Sequence, residues 1–149
     1  MSTDELLESS ADSMTDEQIQ AFLTEQGVGI LALPGEDIPY VVPMSFGYDG
    51  NSALYFIFLL FGTDSRKETL SDRAQRARFL VYRAQSMYDW QSVSLAGQIS
   101  AVAEDDWDKL QSAMQNAWHP NLFSSASPMR GIKGYQFQID GWTGIQHSK

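Results

Sequence analysis

The chain has 149 residues, 43% of them apolar, so it is long enough for one domain with a hydrophobic core. Its formal net charge of −9 argues against binding to nucleic acid or to an anionic membrane surface. Cysteine is absent, which excludes disulfides, thiolate catalysis and zinc–thiolate sites. No apolar run is long enough to span a membrane and the first residues are acidic, so we expect a cytoplasmic protein.

The negative charge comes from 12 Asp and 7 Glu, against only four Lys. A dense acidic surface with few Lys suits high salt, because screening relieves the repulsion between like charges. An ordinary acidic protein is the alternative. We favour adaptation to salt, as in a halophilic organism.

The N-terminal part divides into a tail and a helix. Residues 1–14 are polar and acidic, so we expect a mobile tail before a single domain of residues 15–149. The segment TDEQIQAFLTEQG predicts a helix, with Thr15 and Gln18 as a capping box and Gly27 as its stop. Its expected buried face carries Ile19, Phe22 and Leu23.

Three strands are predicted next. VGILAL is the first, and it ends at the turn PGED. In the second, IPYVVPMSFGY, Pro39 and Pro43 indicate an edge position or a bulge, because proline lacks an amide donor. After the hairpin signal Asp49-Gly50, the run ALYFIFLLF shows no alternation and is therefore predicted to be buried on both faces.

The second half predicts three more strands and a helix. ARFLVYRA and WQSVSLAGQISAVA are strands around the connector SMYDWQ, and GYQFQID is the sixth strand. The helix EDDWDKLQSAMQNAW precedes a loop at residues 119–132. Its apolar positions are Trp107, Leu110, Met114 and Trp118. Sequential strands with short links indicate a small antiparallel barrel, and a sandwich fits the pattern almost as well.

The strongest candidate site is the polar segment Thr63–Lys67, which follows a buried strand and opens a helix. Backbone N–H groups at a helix start, the Ser65 hydroxyl and the cations Arg66 and Lys67 suit a single phosphate group. A solvated basic turn is the alternative. Two adjacent cations in a chain with ten Lys and Arg favour the phosphate site.

Other polar positions carry weaker signals. Gln91 and Ser92 enter a strand, and Pro43–Phe46 can present backbone amides to a planar ligand at a sheet edge. Neither His119 nor His147 has a partner at metal-ligand spacing, so no metal site is expected.

The order and spacing of these segments resemble the pyridoxamine 5′-phosphate oxidase-related family of flavin-binding split β-barrels. The resemblance covers residues 25–105, and GYQFQIDGWTG is a weaker match. Its most specific piece is SRK followed by Leu70 at the head of a helix. The resemblance implies a six-stranded antiparallel split β-barrel of the FMN-binding type, and a homodimer with FMN at the subunit interface.

The resemblance also implies cofactor-binding residues and no particular catalytic residue. Ser65, Arg66 and Lys67 correspond to the segment that grips the flavin phosphate, and Leu60 and Phe61 to the strand end beside it. Gln91 and Ser92 correspond to residues that reach the flavin from the other subunit, and Trp142 to a position near the ring. The segment that lines the ring corresponds to Val42, Pro43, Met44, Ser45 and Phe46.

The chain departs from the vitamin B6 oxidase itself at several positions. Val41 and Phe46 stand near the places of an Arg and a Lys, and the C-terminal GWTGIQHSK has one His and no Arg. We therefore do not expect vitamin B6 oxidation. We expect a flavin-dependent redox enzyme acting on a small molecule, or alternatively a non-catalytic carrier or sensor. Deazaflavin and heme are the alternative cofactors.

Two apolar segments also predict an obligate dimer. ALYFIFLLF and WQSVSL carry more apolar surface than one barrel of this size is expected to bury. A second copy of the chain would cover the excess.

Overall fold

An antiparallel eight-stranded sheet forms the frame of the molecule in the computed structural model, which describes residues 11–35, 37–59, 76–113 and 132–147. Seven strands follow the order β3-β2-β6-β7-β8-β5-β4, and β1 pairs with β8. The strands are β1 Asp12–Ser13, β2 Val28–Leu33, β3 Tyr40–Ser45, β4 Gly47–Tyr48, β5 Ala53–Leu59, β6 Arg76–Ser86, β7 Asp89–Ala101 and β8 Ile132–His147.

Within the described residues, two helices flank the sheet. Helix α1 spans Asp16–Glu25, and α2 spans Trp107–Ala113 after a short 3-10 turn at Glu104–Asp106. None of the helices in the described ranges is both long and apolar enough to cross a membrane.

The chain itself connects the two ends of the sheet. Strand β3 pairs with β2 at one end, β4 pairs with β5 at the other, and only Phe46 separates β3 from β4. The sheet is therefore curled into a split barrel, with the predicted strand IPYVVPMSFGY divided between its two edges. This confirms the split β-barrel expected from the sequence, and it places the Pro43 strand at an edge.

The barrel interior is built around aromatic side chains. Phe79 stacks on Phe56 at 5.0 Å between ring centroids and meets Phe46 edge-on at 5.2 Å. These three rings are fully buried. Helix α1 covers one end of this core with the face predicted for it: Ile19, Phe22 and Leu23.

From Ala53 to Ile57, strand β5 is buried on both faces, as its unbroken apolar run predicts. Leu54 and Phe56 enter the barrel core, whereas Tyr55 and Ile57 pack under α2 with Trp107. This finding corrects one argument for a dimer, because the chain covers the outer face of β5 over these residues with its own helix.

The N-terminal boundary also differs from expectation. Asp12 and Ser13, which we assigned to the tail, pair with β8, and the Met14 N–H donates to the Gly144 carbonyl at 2.8 Å. Helix α1 begins at the predicted capping box. The helix ends at Glu25, and the next residue, Gln26, has an extended backbone. Gly27 does not adopt the left-handed conformation that a glycine stop would need.

Strands β6 and β8 are longer than predicted, whereas β7 begins one residue before the predicted segment and ends two residues before that segment ends. Only Met87 and Tyr88 lie between β6 and β7, so most of the expected connector SMYDWQ is strand. Strand β8 continues past the predicted segment to His147, with a bulge at Asp140.

Several predicted features lie outside the described residues. They are residues 1–10 of the tail, the phosphate segment and its helix, the loop after residue 118, and the side chains of Met114, Trp118 and His119.

Candidate functional site

Strand β3 presents alternate residues to opposite faces of the sheet. Met44 and Phe46 are buried in the core, and Val42 packs against it. Pro43 is exposed and Ser45 half-buried on the outer face. Of the five residues expected to line a flavin ring, only Pro43 and Ser45 therefore offer side chains to a ligand outside the barrel.

A groove of about 580 Å³ lies beside Pro43. The end of α1, the first residues of β2 and the exposed ring of Tyr82 on β6 form its other walls. Its lining residues are Glu25, Gln26, Gly27, Val28, Gly29, Ile30, Pro43 and Tyr82. A planar ring with one polar edge fits such a groove, because Val28, Ile30, Pro43 and Tyr82 supply apolar or aromatic surface while Glu25 and Gln26 are polar.

A polar row crosses the ends of β6, β7 and β8. Arg83, Gln91 and Gln146 are direct cross-strand partners in the sheet register. The Arg83 Nε donates to Gln91 Oε1 at 3.2 Å, and Gln91 Nε2 donates to Gln146 Oε1 at 3.3 Å. The three side chains are half-buried, so the row is accessible to a ligand at this end of the barrel.

Asp89 anchors the cation of this row. Its Oδ1 accepts a hydrogen bond from Arg83 Nη2 at 2.8 Å. This bond holds the pKa of Asp89 below its usual value. The same bond, followed by the negative charges of Asp89 and Glu25, raises the pKa of Arg83. Both groups are therefore charged at neutral pH.

Gln91 and Ser92 lie on opposite faces of β7. Gln91 shares its face with the buried Val93 and Leu95, whereas Ser92 is the cross-strand partner of Tyr82 on the outer face. One ligand on a single face cannot contact both side chains of the same chain. Ser92 belongs to the face of the groove, and Gln91 belongs to the polar row.

Trp142 is tied to the first helix. Its indole Nε1 donates to the Asp16 Oδ1 atom at 2.9 Å, and its ring packs against the barrel core. Trp142 is opposite Leu95 in the register, whereas Gln146, four residues later, is opposite Gln91. The structure therefore does not bring Trp142 into the polar row.

The remaining predicted cofactor residues lie outside the described residues: Leu60, Phe61, Ser65, Arg66 and Lys67. His147 Nδ1 lies 2.8 Å from the Tyr88 carbonyl oxygen. Within the described ranges, no group of three or more His, Asp or Glu side chains is placed to hold a metal ion.

Sequence reasoning did not identify Tyr82, Arg83 or Gln146. Arg83 carried a signal, because cations are scarce in this chain and it interrupts the apolar pattern of ARFLVYRA. No local sequence pattern pointed to Tyr82 or Gln146 as binding residues, because their positions beside the other site residues depend on strand register.

Comparisons with known proteins place this arrangement in a family. Among solved structures, a FAD-binding protein from Mesorhizobium loti has a TM-score of 0.70 and 22% identity, covering 93% of this chain and 99% of its own. The FAD and heme binding protein from Mycobacterium smegmatis has a TM-score of 0.70 and 16% identity, covering 95% and 74%. A FAD binding protein from the same organism has a TM-score of 0.67 and 12% identity, covering 91% and 99%.

A comparison with curated proteins gives no match. The family model described as pyridoxamine 5′-phosphate oxidase matches residues 15–146, which is most of the chain. The sheet order and the family model thus agree with the resemblance seen in the sequence. The protein belongs to the pyridoxamine 5′-phosphate oxidase family.

Proposed function

We propose that the protein is a flavoprotein that binds FMN in the groove beside Pro43 and carries out a redox reaction on a small molecule. The observation that carries this proposal is the groove itself, at the sheet edge where the family resemblance puts the flavin ring. The similar structures from Mesorhizobium loti and Mycobacterium smegmatis, which bind FAD, add support.

The described residues fit the ring end of a flavin. A volume of about 580 Å³ lies within the roughly 300–1,000 Å³ range of small-molecule sites. Proline at position 43 leaves the edge strand without one amide donor, and the neighbouring apolar side chains Val28 and Tyr82 are solvent-exposed. A groove with both apolar and polar walls of this kind favours a flat aromatic ligand that carries polar groups at its edge.

The phosphate end of the ligand is assigned to Ser65, Arg66 and Lys67 on sequence grounds. Replacing Arg66 or Lys67 with Ala should remove a charge-assisted hydrogen bond that contributes about 1.5–3 kcal/mol, or roughly 10–150-fold in FMN affinity. Fluorescence titration with FMN and with riboflavin tests this assignment. Riboflavin has no phosphate, so wild type and variants should bind it almost equally. An equal loss of both ligands would contradict the assignment.

The same titration distinguishes FMN from FAD. A site built for one terminal phosphate favours FMN, whereas the FAD-binding relatives make FAD the alternative. Tighter binding of FAD than of FMN would replace FMN in this proposal without changing the flavin assignment.

A bound flavin supplies hydride chemistry, and the chain contributes binding, orientation and electrostatics. We therefore propose a redox enzyme, with a non-catalytic carrier or sensor as the alternative. The carrier or sensor alternative is supported by the structural similarity to the FAD and heme binding protein from Mycobacterium smegmatis, which is described by what it binds. An enzyme should have its flavin reduced by a nicotinamide cofactor and reoxidised by a defined acceptor over many cycles. A carrier or sensor would not turn over.

A homodimer with the flavin at the interface is part of the proposal. Its support is the exposed apolar outer face, where Val28, Val41 and Tyr82 are 43%, 58% and 55% exposed. The test is sedimentation at low micromolar concentration, with and without FMN, in low and in molar salt. Salt should favour the dimer, because it screens the repulsion between two chains of charge −9. A monomer that binds FMN tightly would contradict the shared site.

A further inference from the structure

We propose that a cavity between helix α2 and the β4–β5 hairpin is a second binding site, which takes a small organic amine that is protonated at neutral pH. The cavity shares no described lining residue with the groove beside Pro43. The proposal therefore does not depend on a bound flavin.

The cavity combines a buried aromatic floor with a polar rim. Its volume of about 530 Å³ lies within the range of roughly 300–1,000 Å³ for small-molecule sites. Tyr48 and Tyr55 form the floor, and both are almost fully buried. The rim is made of exposed side chains from the hairpin and from α2: Asp49, Asp108, Lys109 and Ser112. An apolar ligand body with one charged group fits this arrangement.

The floor contains a polar group that no described residue satisfies. Tyr55 is 5% exposed, and its hydroxyl makes no hydrogen bond to any residue in the described ranges. Tyr48 differs, since its hydroxyl donates to the Asn51 carbonyl at 2.8 Å. Burial, followed by the negative charges of Asp49 and Asp106, raises the pKa of Tyr55, so its hydroxyl is protonated at neutral pH. A buried hydroxyl without a partner costs free energy, and a ligand that hydrogen-bonds to it removes that cost.

The charges at the rim favour a cation over an anion. Asp49 is fixed, because its Oδ1 atom accepts three backbone N–H groups, and its Oδ2 atom takes no part in these bonds. Asp108 adds a second carboxylate from α2, whereas the ammonium group of Lys109 lies 3.6 Å from Asp106. Two carboxylates thus face one ammonium group in a chain of net charge −9, which attracts a positively charged ligand.

A protonated amine meets both requirements. An ammonium group has three N–H donors and no acceptor, so it can donate to the Tyr55 hydroxyl oxygen and to a rim carboxylate. A primary amine stays charged at neutral pH, as the lysine pKa of about 10.4 shows. Its apolar body would pack on the two tyrosine rings, which also attract cations.

Cyclohexylamine is the probe, titrated into the full chain and followed by backbone amide signals in NMR. Signals of α2 and of the β4–β5 hairpin should shift and saturate, whereas those of the groove beside Pro43 should not. Cyclohexanol and cyclohexanecarboxylate have the same ring with a neutral or a negative group, and both should bind more weakly. Absence of a saturable shift at α2, or tighter binding of the carboxylate, would overturn the proposal.

Matched variants separate the cavity from general surface charge. Tyr55→Phe should weaken amine binding about two- to tenfold, whereas Tyr88→Phe, which removes an exposed hydroxyl outside the cavity, should not. Asp108→Asn should weaken it about two- to fivefold, as expected for an exposed ion pair. Asp105→Asn removes the same charge outside the described lining and should have a smaller effect. Equal effects of the two Asp variants would assign the attraction to net charge and contradict a site at α2.

Thermal unfolding tests the unpaired hydroxyl independently. Without amine, Tyr55→Phe should unfold at the wild-type midpoint or above it, because the variant loses a buried hydroxyl and no hydrogen bond to a described residue. Cyclohexylamine should raise the midpoint of wild type more than that of the variant. A lower midpoint for Tyr55→Phe without amine would show that the hydroxyl already has a partner, and the argument for a ligand would fail.

Discussion

Replacement of Phe46 separates a core role from a cofactor role. The family resemblance puts Phe46 beside the flavin ring, whereas the structure buries it completely, with its ring 5.2 Å from that of Phe79. Phe46→Ala therefore removes a core side chain, and it leaves the ligand groove unchanged because Phe46 does not line it. The protein should then lose stability, and the folded fraction should keep its FMN affinity.

The size of the loss follows from burial. Truncation of a buried Phe to Ala costs about 3–5 kcal/mol, of which an edge-to-face aromatic pair accounts for roughly 0.5–1.5 kcal/mol. For a domain of this length, the loss corresponds to about 10–20 °C in the midpoint of thermal unfolding. Val41→Ala is the matched control, because Val41 lies in the same predicted strand and is 58% exposed. Its effect should stay within about 0.5 kcal/mol.

Urea unfolding gives the stability, and FMN titration at low temperature gives the affinity of the folded protein. If the Phe46→Ala protein is too unstable to measure, Phe46→Leu replaces it, and its free energy of unfolding should fall by a smaller amount. A Phe46→Leu protein of wild-type stability that binds FMN ten times more weakly would refute the core assignment.

Three further predictions concern the barrel and the polar row. Gly97→Ala should lower the free energy of unfolding in urea by about 1–3 kcal/mol or more, because the new Cβ atom would lie 2.2 Å from a backbone oxygen of β8. Gly141→Ala is the control and should be nearly neutral, because no atom lies within 4 Å of the position its Cβ would take. Trp142→Phe should cost about 0.5–1.5 kcal/mol in the same assay through the lost bond to α1, with little change in FMN affinity. The pKa of Asp89 is lower in the folded protein than in the unfolded chain, so its ionised form stabilises the fold at pH values above the usual Asp pKa of about 3.9. That stability is lost as the pH falls through the pKa of Asp89 in the folded protein. Asp89→Asn, which removes the charge paired with Arg83, should therefore lower the unfolding midpoint at pH 6, and the difference from wild type should vanish in strong acid.

Features encoded by neighbouring residues could be predicted from the sequence. The capping box at Thr15 and the hairpin at Asp49-Gly50 each need only a few adjacent residues. At the hairpin, Gly50 adopts φ +87°, and the Asp49 carboxylate accepts three backbone N–H groups. The two-faced burial of β5 was predictable for the same reason, because its run of apolar residues is continuous.

Features that depend on partners far along the chain could not be predicted. The bond from Trp142 to Asp16 joins residues 126 positions apart, and the row through Arg83 exists only because β6, β7 and β8 share one register. Alternation along β3 was visible in principle. It gives opposite faces to Pro43 and Phe46 once the core side of the sheet is known.

The absorption spectrum of protein purified without added cofactor tests the central claim most directly. We predict the bands of an oxidised flavin, and after denaturation the release of one FMN for each chain. Protein that lacks bound flavin on purification should gain these bands when mixed with FMN. A colourless, folded protein that gains no flavin absorbance with excess FMN or FAD would contradict the assignment of this barrel as a flavoprotein.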